Sequence, residues 1–98
     1  MKRFVLTRLA ERDLDQIKAF LIEEAGATIA RRVLNDIRGA IHFLSKEPGA
    51  GHLREDLTSR PVRFWPVYSY LIVYDSETKP LQIVRILHGM RDVAGILN

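Results

Sequence analysis

A chain of 98 residues, 47% hydrophobic and 28% charged, has the balance of one soluble globular domain spanning residues 1–98, whose modest core leaves its function to a surface or a shallow groove. The absence of cysteine excludes a disulfide framework, a thiolate metal site and a cysteine nucleophile, and His42, His52 and His88 lack metal-ligand spacing, so no metal or cofactor is expected. The formal charge is +3 and spread along the chain, although 11 of the 15 cations are arginine, the residue suited to planar contacts with phosphate or carboxylate.

Phe4 to Thr7 reads as a short strand, and the Thr7 hydroxyl is an N-cap for the helix that follows. The apolar run Phe4-Val5-Leu6 is too short for a signal peptide, and no segment approaches the ~18 apolar residues of a membrane span. The expected location is therefore the cytoplasm, without membrane contact. In the first helix Ala10, Leu14, Ile17 and Leu21 recur at helical spacing, while Glu11, Asp13, Asp15, Glu23 and Glu24 read as a solvated face. Gly26 is expected to end this helix in a left-handed conformation. A second helix from about Thr28 carries Ile29, Val33, Ile37, Ala40, Ile41 and Leu44 and stops at Pro48-Gly49. So short a link predicts an antiparallel helical hairpin.

Residues 48–61 read as a polar connection. Val62-Arg63-Phe64-Trp65 is strand-like and Pro66 is expected to break it. Tyr68 to Tyr74 and Leu81 to His88 are strands joined by the turn Ser76–Pro80, and a short helix over about Arg91 to Leu97 closes the chain. Helices grouped on one side of a mainly antiparallel sheet predict a two-layer α+β fold: an N-terminal strand, an antiparallel helical hairpin, the sheet and a short C-terminal helix.

Three features carry possible chemistry. On the strand Tyr68 to Tyr74, Tyr68, Tyr70, Ile72 and Tyr74 share a face that either stacks on bases or, the commoner case, packs in the core with wet hydroxyls. Arg63 and Arg85 interrupt apolar strands. Arg85, placed between Ile83 and Leu87, either points at an anionic partner or pairs with Asp75 or Asp92. In His88-Gly89-Met90-Arg91-Asp92, Asp92 is a helix cap, His88 a lone acid–base candidate without a nucleophilic partner, and Arg91 the stronger functional candidate.

Val62 to Tyr74 (VRFWPVYSYLIVY) resembles the central strands of ParE-like toxins, and Pro80 to Asp92 (PLQIVRILHGMRD) resembles their closing strand and the turn after it. With the helical hairpin, the resemblance covers nearly the whole chain and points to the ParE/RelE superfamily, ParE-like branch, of type II toxin–antitoxin systems. It implies a toxin neutralised by a cognate antitoxin in a hetero-oligomer. ParE-like members inhibit DNA gyrase by binding, whereas RelE-like members cleave mRNA on the ribosome with basic residues and a C-terminal tyrosine or histidine.

Arg91 matches a functional arginine of the RelE-like nucleases, and Arg63 matches one of their basic residues. Leu71 and Leu97 stand where those enzymes place an arginine and the terminal tyrosine, which argues against an enzyme. The resemblance therefore favours a gyrase inhibitor. A ribosome-dependent endonuclease, with Arg91, His88 and Arg63 as catalytic candidates, and a non-toxic α+β interaction module are the alternatives. Target-binding candidates are Arg63, Arg85, His88 and Arg91. The antitoxin is expected to lie near Leu14, Ile17, Leu21 and Val33.

Overall fold

The computed structural model describes residues 3–98. Strand β1 (Phe4–Leu6) leads into helix α1 (Arg8–Ala25), and α2 (Ala27–Lys46) follows after a single residue. Thr7 caps α1: its Oγ1 accepts the Ala10 N–H at 3.1 Å and its hydroxyl donates to the Val84 carbonyl at 2.7 Å. Gly26 alone makes the hairpin bend, at φ 91° and ψ 164°, a conformation essentially reserved for glycine, and so ends α1 and begins α2 one residue earlier than expected.

Four further strands follow: β2 (His52–Leu53), β3 (Arg63–Val67), β4 (Tyr70–Asp75) and β5 (Leu81–His88), and then α3 (Val93–Leu97). Among the described residues they form one mixed sheet in the order β1-β5-β4-β3-β2, with β1 parallel to β5 and the other pairs antiparallel. The α+β architecture is thus the expected one, with four corrections in detail. The segment read as a polar connection contributes β2. Pro66 does not break β3 but lies within it, opposite Leu71. Because β2 reaches only Phe64 and Arg63, β3 is a sheet edge at Pro66, where a missing N–H costs no ladder bond. Tyr68 leaves the strand for the β3–β4 turn at φ 54°, and its hydroxyl donates to Asp36 of α2. Arg91 precedes α3 instead of opening it, and Asp92 caps that helix by accepting the Gly95 N–H at 3.0 Å.

The sheet is covered on both faces rather than one. Ala10, Ile17, Leu34, Ile37, Ile41 and Leu44 of the hairpin pack on Tyr70, Ile72, Tyr74, Leu81, Ile83 and Ile86. On the reverse face Val62, Phe64, Val73 and Leu87 meet Val93 and Leu97 of α3. Ile29, expected in the stripe of α2, is exposed, because the buried set Ala30, Leu34, Ile37, Ile41, Leu44 turns it outward. The tyrosine face meets the helices, so Tyr70 and Tyr74 are buried and unavailable to stack on bases. Tyr74 donates to the Pro48 carbonyl at 2.7 Å and accepts the Gly51 N–H at 2.8 Å, fixing the exit of α2 to the sheet.

Burial holds the phenol groups of Tyr70 and Tyr74 above their ordinary pKa. Both therefore keep their protons in the folded chain at a pH where the unfolded chain loses them. That contribution is fully present below about pH 10 and is lost as pH rises through the folded values. Melting temperatures measured from about pH 8 to 11 should fall most steeply above pH 10. The Tyr70 phenol makes no side-chain hydrogen bond among the described residues, so Tyr70→Phe should lessen that fall; an unchanged pH profile in this variant would refute the assignment.

Candidate functional site: a groove at the end of the sheet

The groove arises because β1 is short. It pairs with Leu81 to Ile83 of β5 and stops, leaving the outer edge of β5 without a strand from Val84 onward. A bulge at Val84 then shifts the alternation: Tyr74 pairs with Ile83, but the next residue, Val73, pairs with Arg85. Ile83 and Leu87 consequently face opposite sides, contrary to the simple alternation of an unbroken strand.

Helix α1 runs along the open edge. Asp13, expected on the solvated face, is 5% exposed and serves three donors there. Its Oδ2 accepts from Arg85 Nε at 2.8 Å and from the Ile86 N–H at 2.9 Å, while its Oδ1 accepts from Arg85 Nη2 at 2.9 Å. The carboxylate thus replaces a strand partner and raises the Arg85 pKa, chiefly through the hydrogen bonds. The partner of Arg85 is therefore Asp13, not Asp75 or Asp92, and its guanidinium is turned into this pair.

Beyond that pair lies a groove of about 340 Å³ lined by Gln16, Ile17, Phe20, Tyr70, His88 and Arg91, with Asp13 and Ile86 at its base. His88 stands opposite Tyr70 on the neighbouring strand, edge to face at 5.4 Å. Its Nδ1 accepts the Met90 N–H at 3.1 Å. The neutral ring must then carry its proton on Nε2, as a donor rather than a base. Arg91 is exposed and, among the described residues, forms no ion pair or side-chain hydrogen bond. Phe20 is 56% exposed, a large aromatic face for so small a chain. The groove therefore offers a cation, a neutral donor and an apolar wall, and Asp13, its one carboxylate, is already engaged. That is a set suited to binding.

The candidate residues divide accordingly. His88 and Arg91 come together, and Arg85 lies behind them in the Asp13 pair. Arg63 is elsewhere: it pairs with Tyr74, four residues along β4 from Tyr70, or ~13 Å in strand rise. There Arg63 Nη1 donates to the Gly51 carbonyl at 2.9 Å and Nε to Ser76 Oγ at 3.3 Å. Ile17 is buried, and Leu14, Leu21 and Val33 are half-buried against the main core. Asp13, Gln16 and Phe20 were not anticipated. The signal for Asp13 was its place three residues after Ala10 and four before Ile17, inside the apolar stripe, where a carboxylate must have partners.

The model of the ParE toxin of the type II toxin–antitoxin system parDE matches residues 4–93. Toxin ParE3 of Caulobacter vibrioides is 34% identical over 98 residues, which span 99% of this chain and 96% of that protein. The chain belongs to the ParE toxin family. A solved structure described as the chromosomal ParDE TA system from P. aeruginosa superposes with a TM-score of 0.75 at 26% identity, covering 90% of this chain and 96% of that one. As a ParE toxin of a type II system, the chain has an antitoxin for a partner. Within this ParE fold Leu97 is buried and Leu71 packs against the same second core, beneath α3, so both positions serve the fold and neither opens on the groove. Among the described residues no helix is long and apolar enough to cross a membrane.

Proposed function

We propose that this toxin inhibits DNA gyrase by binding, with the groove between α1 and the end of β5 as its contact surface, and that a cognate antitoxin neutralises it. The observation that carries this reading is the groove that brings His88, its Nδ1 accepting the Met90 N–H, together with Arg91 and Phe20. With Nδ1 so engaged, a neutral ring offers a donor at Nε2 in the groove it shares with Arg91 and Phe20. A hydrolytic site needs a base, and the one carboxylate of this groove, Asp13, is already held by Arg85 and the Ile86 N–H. The packing of Leu71 and Leu97 into the second core supports the same reading against the endonuclease.

The antitoxin surface is drawn to the flank of the expected residues. With Ile17 inside the core, the accessible apolar groups beside Leu14, Leu21 and Val33 are Phe20, Ile22 and Ile29. An amphipathic segment laid along the hairpin would cover them.

Supercoiling by purified gyrase is the test. The toxin should inhibit it, and Arg91→Ala should weaken inhibition by about tenfold or more, the scale of one lost charge-assisted contact, while changing antitoxin affinity about twofold at most. Unimpaired gyrase at toxic concentrations, with new transcript ends appearing in induced cells, would replace this reading by the endonuclease. Normal growth on expression without the antitoxin would remove both.

A further inference from the structure

We infer that a second groove, at the opposite end of β5, binds the phosphodiester backbone of duplex DNA. The choice of DNA rests on the gyrase reading, since that target works on DNA. Three segments distant in sequence meet there. Arg3 precedes β1, Lys46 ends α2 and Lys79 lies in the β4–β5 turn, and all three line one groove of about 730 Å³ with Ser76 and Thr78. Two contacts hold the convergence. The Leu81 N–H donates to the Arg3 carbonyl at 3.1 Å, tying the N-terminal segment to the turn. The Tyr74 hydroxyl, bonded to Pro48 and Gly51, holds the exit of α2 in place.

No carboxylate lines this groove, and none of the three cations takes part in either ion pair found among the described residues, Arg54–Asp56 and Arg85–Asp13. Their charge is left for counterions or for an external anion. The form of the groove selects among anions. It is open, and it continues past Arg3 and Lys46 into a neighbouring groove along β1 that His42 lines and where Glu11 is the only carboxylate. A single anion is best held in an enclosed cradle, whereas a row of cations on an open track suits successive phosphates, whose counterions are released on binding. The track begins at Leu81 and the Arg91 groove at His88, about 23 Å apart along the strand. Protein target and DNA can therefore be engaged together, one at each end of β5.

The test uses the whole chain and a short fluorescein-labelled duplex, without gyrase, read by anisotropy. Binding should weaken between about 50 and 200 mM salt with a log–log slope near −2 to −3, as expected for about three phosphate contacts. The charge reversal K46E/K79E should weaken it by about tenfold or more, K46R/K79R should retain it, and R31E/R38E on the outer face of the hairpin should change it about twofold at most. Circular dichroism melts would verify that each variant folds. The inference is overturned by absent or salt-independent binding, by equal losses in the two charge-reversed variants, or by tighter binding of a single-stranded RNA of the same length. It fails separately from the proposed function. Gyrase inhibition without DNA binding removes only the second groove, and DNA binding without gyrase inhibition removes only the target.

Discussion

Asp13→Ala should destabilise the protein by about 3 kcal/mol, near the lower end for breaking a buried ion pair because the Arg85 side chain retains 17% exposure and can reach water. In a chain of this size that corresponds to a melting temperature lower by about 15 °C. The loss is large because one carboxylate serves two guanidinium nitrogens and the Ile86 N–H. Removing it leaves a half-buried cation and a backbone donor unpartnered on a strand edge that nothing else covers. Asp13→Asn keeps an acceptor oxygen for Ile86 and should cost less. In the double variant D13A/R85A the losses should fall well short of additivity, since Arg85 is left without its partner only while it remains. Equilibrium denaturation of the wild type, D13A, R85A and D13A/R85A measures the coupling, and strict additivity would show that the pair contributes nothing to the fold. Because Asp13 also sits at the base of the His88–Arg91 groove, the destabilised variants should lose the proposed gyrase inhibition with it.

Gly51→Ala should destabilise by about 2–3 kcal/mol, whereas Gly49→Ala, two residues earlier, should be neutral to slightly stabilising. The contrast is steric, not conformational. Gly51 has φ −74° and ψ 174°, open to any residue. A Cβ there, however, would overlap the Tyr74 hydroxyl, sit 2.8 Å from its Cε1 and lie 3.0 Å from the Phe64 carbonyl oxygen. Tyr74 cannot yield, being fully buried with its hydroxyl bonded on both sides. A Cβ on Gly49 meets nothing within 4 Å. Thermal melts of the two variants decide the matter, and equal effects would contradict the close approach of Gly51 to the tyrosine.

The helices were legible because their signals are local. Thr7 carries a hydroxyl that can cap, the apolar residues of α1 and α2 repeat at helical spacing, and Gly26 is tolerated where a side chain is not. The strands Leu81–His88 and Tyr70–Asp75 were legible from β-branched and aromatic content, and the resemblance to ParE-like toxins rested on these same stretches. The faces of β5 were not legible. An extra residue at Val84 inverts the alternation halfway, and a bulge is set by the partner strand rather than by the residue that makes it.

The candidate site divides along the same line. Arg91 and His88 were identifiable as residues, since they follow a strand that ends abruptly. That they share a groove with Phe20 and Gln16, while Arg63 is bound elsewhere, depends on how far β1 extends along β5. The charge on Arg85 was plain, but its partner lies 72 residues away in the chain. By itself, then, the sequence determined the elements, their order and the toxin family, because capping, periodicity and motif are properties of neighbouring residues. Only the tertiary structure decided that Asp13 is buried, that Leu71 and Leu97 belong to a second core, and that Arg3, Lys46 and Lys79 meet at one groove. Burial and charge convergence are relations between segments far apart in the chain, and they exist only once the sheet has brought those segments together.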